Sequence, residues 1–333
     1  MDLDNPTLLR RLGYGLLLGI VIYVGYALIG DGAALASNLG QVPALVIVGA
    51  CGLSALNYLI RFAKWHLYVR LLDLSVPPGH SLVVFLAGLS MSISPGKIGE
   101  VIKSALLKRS HGLSIARTAP MVFAERLTDL LGLFVIAAIG IVVFEYGIIA
   151  FSICLFAVLG LILFLQSPRL VHRLLDVIEK VPIIGERRLA LDRAYRSTRQ
   201  LLAWRPLATT TLLSGVGWSM EALAFGWLLL HLGADVPVLF EAFFVFSTST
   251  LLGALSFLPG GLGLTEGSMT GLLLWLEVVD DLSVAAAATY LIRFTTLWFG
   301  VIVGFLFYLL YEWHQRIDGQ RPSSPGSDAS PDA

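Results

Sequence analysis

Two similar stretches, "SISPGKIGE" and "SFLPGGLGLTE", place proline, glycine and charged residues inside an otherwise apolar chain. They lie 164 residues apart and share the pattern Ser-x-x-Pro-Gly-x-x-Gly. Proline ends a helix, and glycine permits a sharp turn. The pattern therefore predicts two breaks between half-helices. The turn residues are Pro95, Gly96 and Gly99 in the first break and Pro259, Gly260, Gly261 and Gly263 in the second.

Charged residues on or near the breaks are the candidate ligand-binding side chains. They are Lys97, Glu100, Glu125, Arg126, Asp129, Glu266 and Arg293. A charge at membrane depth costs roughly 2.5–3.5 kcal/mol and usually marks a pathway or a partner. One hypothesis is that these groups neutralise one another and lock the helices together, since Glu125 and Asp129 share a helical face and Lys97 is three residues from Glu100.

The other hypothesis is an anion site. Half-helix N-termini at Lys97 to Gly99 and Gly261 to Gly263 are predicted to present free backbone N–H groups and a positive dipole end. A lipid phosphate is the obvious anion in a membrane, and we expect Arg126, Lys97 and Arg293 to contact it.

Composition predicts the elements that hold these residues. The 333 residues are 56% hydrophobic and 14% charged, with a mean hydropathy of +0.81, which exceeds the needs of a soluble core. We predict an all-α polytopic membrane protein with about six spanning helices plus two re-entrant helical hairpins. The apolar runs lie at about 12–30, 42–60, 130–144, 148–165, 207–230 and 284–310. We expect the first to be an uncleaved helix, because it is longer than a signal-peptide core.

The segments around the first break are too short to cross a bilayer. As helices, 81–94 and 98–107 would reach only about 21 Å and 15 Å. A hairpin that enters and leaves on one side satisfies both lengths. The second pair, 238–258 and 262–276, is longer, and two readings stay open for it: a re-entrant hairpin or two spans.

The distribution of charge predicts the orientation. With both termini in the cytoplasm, the basic residues fall inside and the outer connections hold only acids. The residues assigned to the inside are Arg61, Lys64, Arg70, Lys103, Lys108, Arg109 and Arg117, with the arginine-rich stretch 169–205. The halves at about 42–145 and 207–311 then form an inverted repeat, which is typical of alternating-access transporters. The location predicted is the cell membrane.

Two flanking segments complete the predicted domain organisation of a transmembrane domain, 1–318, followed by a tail. The basic segment 168–205 spaces Leu191, Ala194, Thr198 and Leu201 as an apolar stripe. Two readings stay open for it: a helix on the inner leaflet or a solvated linker helix. The tail, 319–333, is rich in Ser, Pro and Gly and is predicted to be disordered.

Other function classes find little support in the sequence. "SPGKIG" matches a phosphate-binding P-loop only at Gly96-Lys97, and the six histidines have no metal-ligand spacing. We therefore expect no cofactor, no metal, no catalytic residue and no nucleic-acid partner. The expected function is translocation of an anionic or phosphate-bearing lipid. Two alternatives stay open: an enzyme acting on a lipid headgroup with Glu125, Asp129 or Glu266 as acid or base, and a membrane assembly factor.

The motifs also carry a family resemblance. "PGKIGE", "ERLTD" at Glu125–Asp129, "PGGLGLTE" and the late Arg293 resemble the transmembrane domain of lysylphosphatidylglycerol synthases, the flippase-like or UPF0104 type, over about residues 10–312. The resemblance implies movement of lipids between leaflets or membranes, with a lipid-synthesising or lipid-modifying enzyme as an expected partner. Lys97 stands where many relatives have arginine. An arginine guanidinium can bind a phosphate through two parallel hydrogen bonds, whereas a lysine ammonium acts as a point charge. Lysyl-lipid synthesis itself is not expected from this chain, because it carries no large aminoacyl-transferase domain.

Overall fold

The computed structural model describes residues 32–144, 148–179, 188–234 and 238–320, and these ranges contain helices and turns without a β-strand. The predicted first span at 12–30 and the tail beyond Gln320 lie outside the described residues. The all-helical class predicted from composition is confirmed.

The described helices are α1 (Gly32–Gln41), α2 (Ala44–Leu71), α3 (Pro78–Gly88), α4 (Ile102–His111), α5 (Ile115–Phe144), α6 (Ile148–Gln166), α7 (Pro168–Glu179), α8 (Arg188–Leu201), α9 (Trp204–His231), α10 (Leu239–Leu255), α11 (Leu264–Trp275), α12 (Leu282–Arg293) and α13 (Phe299–Gln320). A π-helical turn, Phe294–Trp298, joins α12 to α13. Hydrogen bonds from Ser283 cap the start of α12 and lower the pKa of Asp281.

Both proline-glycine breaks form helical hairpins, as the motif predicts. α3 ends in a short 3-10 turn, the chain reverses through Pro95 and Gly96, and a second 3-10 turn, Ile98–Val101, leads into α4. The second hairpin joins α10 to α11 in the same way. Gly96 and Gly260 have left-handed backbone, with φ of 56° and 60°, a conformation that glycine adopts without steric cost. The two turns meet in an antiparallel bridge between Pro95 and Pro259.

The chain is a multi-pass membrane protein. Among the described helices, fewer than the six predicted are both long and apolar enough to cross a membrane. Among the described residues, three helices are long and apolar enough to cross a membrane: Ala44–Leu71, Trp204–His231 and Leu282–Arg316. The α6–α7 pair adds a fourth if it counts as one broken span. α5 is 30 residues long, but its first half carries the charges of "ERLTD". The count of six and the inverted relation of the halves therefore stay predictions.

Three basic residues assigned to the cytoplasmic side are buried inside the protein. Arg61 and Lys64 belong to the interior of α2 and Lys103 to α4, and all three are buried. They are therefore helix residues rather than loop charges, and the side of the membrane on which they lie stays a prediction. A helix can carry buried cations when carboxylates from neighbouring helices pair with them.

The stripe predicted in the basic segment faces protein rather than lipid. Thr198 and Leu201 are buried, Leu191 and Ala194 are half-buried, and α8 packs against α5. The last described helix, α13, ends at Gln320, and the predicted disorder of the tail stays a prediction.

Two glycines bring the halves of the molecule into close contact. Gly304 on α13 lies against the backbone of Leu89 and Ser90 at the end of α3, and Gly140 on α5 lies against Phe244 on α10. Each hairpin therefore packs on a long helix of the other half, which fixes the position of its turn at the centre of the molecule.

Candidate functional site

A cavity of about 250 Å³ lies between the two proline-glycine turns. Gly96 and Lys97 of the first turn and Gly260 and Gly261 of the second line it, together with Trp218 from α9. The breaks thus form the walls of one cavity that both halves of the chain share.

Charged side chains dominate the polar part of the lining. Four cations, Arg61, Lys97, Arg126 and Arg293, and two acids, Asp129 and Glu221, face the cavity. They come from five elements that are distant in the sequence: α2, the first turn, α5, α9 and α12.

Arg126 is held by three carboxylates. Its Nη2 lies 2.8 Å from Glu125, 3.1 Å from Glu100 and 3.3 Å from Asp129. Its Nε donates to no acceptor among the described residues. Arg126 is therefore fixed in place while keeping a donor that makes no protein hydrogen bond.

Behind Arg126, further cations complete a buried ion-pair network. Arg61 lies 2.9 Å from Glu125. Lys64 contacts Asp129 at 2.5 Å and donates to Ser214 at 2.6 Å. The network thus connects α2, α5 and α9.

Lys103 is a further fully buried cation of this network. It lies 3.1 Å from Glu100 and 2.5 Å from Glu125. Its ammonium group also lies over the rings of Trp65 and Phe85, at 4.8 Å and 5.2 Å from their centroids. Aromatic faces attract a desolvated cation, so Lys103 has both ionic and cation–π stabilisation.

The network has a surplus of positive charge when all its groups are ionised. Four cations, Arg61, Lys64, Lys103 and Arg126, face three carboxylates, those of Glu100, Glu125 and Asp129. Lys97 adds a further cation. It makes no ion pair with any described acid, and its ammonium group lies over the Trp218 ring at 5.4 Å.

The second turn has a smaller charged cluster. Glu266 accepts a hydrogen bond from the backbone N–H of Gly263 at 2.7 Å and lies 2.6 Å from Nε of Arg293. Arg293 also donates to the carbonyl oxygen of Gly260 at 2.7 Å. These bonds tie the end of α12 to the second turn.

The predicted free N–H groups are not free. Lys97 and Ile98 donate to backbone carbonyls within the first turn, and Gly99 donates to Ser94 Oγ. In the second turn Gly261 donates to Leu258 and Gly263 to Glu266. Tight turns satisfy their own donors, so any attraction for an anion rests on the cationic side chains rather than on open helix N-termini.

The structure places the predicted site residues in two layers. Gly96, Lys97, Arg126, Asp129, Gly260, Gly261 and Arg293 line the cavity. Glu100, Glu125 and Glu266 lie behind it and hold the cations, while Pro95, Gly99, Pro259 and Gly263 shape the turns. Lys97 and Glu100, expected to be able to pair, do not, because Glu100 is taken by Lys103 and Arg126.

Sequence reasoning missed the contribution of α2. Asn57, Arg61 and Lys64 have i, i+4, i+7 spacing in an otherwise apolar helix, which is the signal of one polar face directed inward. Asn57 donates a hydrogen bond to Glu221 on α9. Within the described ranges no three His, Cys, Asp or Glu side chains converge as metal ligands.

The cavity opening is apolar although its interior is charged. Leu255, Phe257 and Leu258 of the second hairpin line the cavity and are exposed, Phe257 by 67%. In a protein that spans a membrane, such exposed apolar side chains are compatible with contact to lipid hydrocarbon.

Fold and cavity together define a class: a polytopic helical membrane protein with a charged cavity between two helical hairpins. Residues 16–304 match the profile of the lysylphosphatidylglycerol synthase TM region, and the chain belongs to this family.

Two archaeal proteins are among its relatives. A UPF0104 membrane protein of Methanocaldococcus jannaschii is 26% identical over 221 residues, which cover 66% of this chain and 93% of the relative. A UPF0104 membrane protein of Methanothermobacter thermautotrophicus is 26% identical over 234 residues, covering 64% of this chain and 68% of the relative.

Proposed function

We propose that this protein translocates a phosphate-bearing lipid between the leaflets of the cell membrane, and that the cavity between the two turns binds the headgroup. The observation that carries the proposal is the combination of a cationic interior with an apolar opening. Lys97, Arg126 and Arg293 supply positive charge at the cavity surface, and cationic donors bind phosphate oxygens strongly.

The size of the cavity favours entry of a headgroup alone. At about 250 Å³ it is smaller than the roughly 300–1,000 Å³ of typical sites for drug-sized ligands. A whole lipid with its chains is larger still. We propose that the chains stay in the bilayer beside Phe257 and Leu258 while the headgroup passes the turns.

We propose that the halves are related by a two-fold axis, a relation that would suit an alternating-access mechanism. Asn57 and Glu221 are 164 residues apart and share a hydrogen bond, and Pro95 and Pro259, which form the bridge, have the same separation. A residue that touches its own equivalent lies on a two-fold axis. Both pairs fit one axis beside the cavity, and repeats with broken helices at corresponding positions are typical of transporters.

The enzyme hypothesis has weaker support. Glu125, Asp129 and Glu266 were its acid or base candidates, and each is held by at least one cation. Both oxygens of each carboxylate already contact a cation or a backbone N–H, so no oxygen is left open to a substrate. The family is nevertheless named after a synthase, so the test must distinguish a chemical change of the lipid from its movement.

Reconstituted protein distinguishes these functions. Proteoliposomes carrying a fluorescent phospholipid in both leaflets would be treated with an impermeant quencher, and the lipids would then be examined by mass spectrometry. We expect the protected inner-leaflet pool to become accessible with no change in lipid mass. An unchanged protected pool, or a chemically altered headgroup, would refute the proposal.

A further inference from the structure

We infer that helix α7 is an interfacial helix that docks on the anionic phospholipid surface of the membrane. α7 follows α6 after a single residue, and its axis is turned by 83° from that of α6. The 19 residues of α6 extend about 28 Å as a helix, close to the thickness of the hydrocarbon core. A helix at nearly a right angle to the end of α6 lies close to the membrane plane.

The sides of α7 differ in chemistry. Val171 and Leu175 are buried against Tyr195 of α8 and Phe164 of α6. Leu170, Leu174 and Val177 form a second apolar row at i, i+4, i+7 spacing, and they are exposed by 46%, 45% and 61%. The protein therefore covers the first apolar row and leaves the second row uncovered.

A basic row lies beside the exposed apolar row. Arg169 and Arg173 are exposed, and neither pairs with an acid among the described residues. At 100° per residue both lie next to Leu170 and Leu174, on the side away from the buried row. This arrangement places arginines at the boundary between apolar side chains and water, where lipid phosphates lie.

The acids of α7 are exposed, but each contacts an arginine of α8 that offsets its charge. Asp176 and Glu179 lie 2.9 Å and 3.6 Å from Arg188 of α8. His172 lies 3.6 Å from Asp192. The face left for the membrane is therefore apolar and cationic, which matches an anionic leaflet in both charge and hydropathy.

Fluorescence depth measurements on the full chain test this docking. In a background with Cys51 and Cys154 replaced by alanine, an environment-sensitive dye would be attached at Leu174→Cys, and at Glu179→Cys as the control on the other side of α7. Reconstitution would use neutral phosphatidylcholine with and without about 30% phosphatidylglycerol, with a nitroxide quencher on the acyl chains. We expect strong quenching at position 174, weak quenching at 179, and an increase at 174 when the anionic lipid is present.

Removal of the arginines tests the electrostatic part. Arg169→Gln with Arg173→Gln should weaken docking by about fivefold per arginine, which lowers the quenching at position 174 in about 30% phosphatidylglycerol towards its value in neutral lipid. The matched control, Arg193→Gln with Arg199→Gln on the exposed face of α8, should leave it unchanged. Two results would overturn the inference. One is equal quenching at positions 174 and 179. The other is quenching at position 174 that changes neither with the anionic lipid nor with removal of the two arginines.

Discussion

At the scale of single residues, the charged side chains divide into those that hold the structure and those that face the cavity. Lys64 and Lys103 are fully buried, and the ammonium group of each contacts a carboxylate. Arg126 does both, because it faces the cavity while contacting three carboxylates. Lys97 faces the cavity without an ion pair to any described acid. Substitution of Arg126 therefore changes binding and stability together, whereas substitution of Lys97 separates them.

The first prediction concerns Lys103. Lys103→Met should lower the free energy of unfolding by about 1–3 kcal/mol, because Glu100 and Glu125 each lose a buried cation and keep only their contacts with arginines. Thermal unfolding in detergent measures this. Lys108→Met, an exposed lysine on the same helix, is the control and should be neutral.

A second change separates charge from packing in that experiment. Adding Glu125→Gln to Lys103→Met removes one of the two carboxylates that lost their contact with Lys103 and should recover part of the lost stability. A Lys103→Met protein as stable as the wild type would show that the network does not stabilise the fold.

At the scale of elements, the hairpins depend on glycines that let helices approach one another. Gly304→Ala should destabilise the protein by about 1–3 kcal/mol, because the new Cβ would overlap the backbone nitrogen of Ser90, which cannot move without moving α3. The measurement is the unfolding temperature in detergent.

Two other glycines provide the comparison for Gly304. A Cβ at Gly271 of α11 meets no atom within 4 Å, so Gly271→Ala should be neutral or stabilising, since alanine has the higher helix propensity. Gly140→Ala would overlap Cβ of Phe244, which side-chain rotation cannot move because it is fixed to the backbone of α10, so Gly140→Ala should also destabilise the protein. Equal stability of Gly304→Ala and Gly271→Ala would contradict the close packing of α3 on α13.

The elements were more predictable than the contacts between them. Proline, glycine and apolar run length gave the helical class and both hairpins, because these signals act within a few residues of sequence. The partners of Lys64 and Lys103 were not predictable, since the nearest carboxylates come from positions up to 65 residues away. The free N–H groups expected at the turns were also wrong, because the short loops close on their own carbonyl oxygens.

At the scale of the whole molecule, the meeting of the two turns is the feature on which alternating access depends. Residues in an antiparallel bridge have Cα atoms about 4.5–5.5 Å apart, within the range that a disulfide spans. Pro95→Cys with Pro259→Cys, with the native cysteines replaced by alanine, should therefore cross-link on mild oxidation.

The cross-link should also stop lipid movement. If the turns must separate for the headgroup to pass, the oxidised double variant should lose translocation and regain it on reduction, while each single variant stays active under oxidation. Cross-linked protein that moves lipid at the normal rate would show that the turns can stay joined during transport.

The most direct test of the central claim compares lipid translocation by the wild type, Lys97→Gln and Lys108→Gln in proteoliposomes, with thermal stability measured on the same preparations. A charge-assisted hydrogen bond contributes about 1.5–3 kcal/mol, so Lys97→Gln should bind and move a phosphate-bearing lipid at least about tenfold less well. Its stability should match that of the wild type, and Lys108→Gln should be normal in both. Translocation by Lys97→Gln at the wild-type rate would contradict a headgroup site between the two turns.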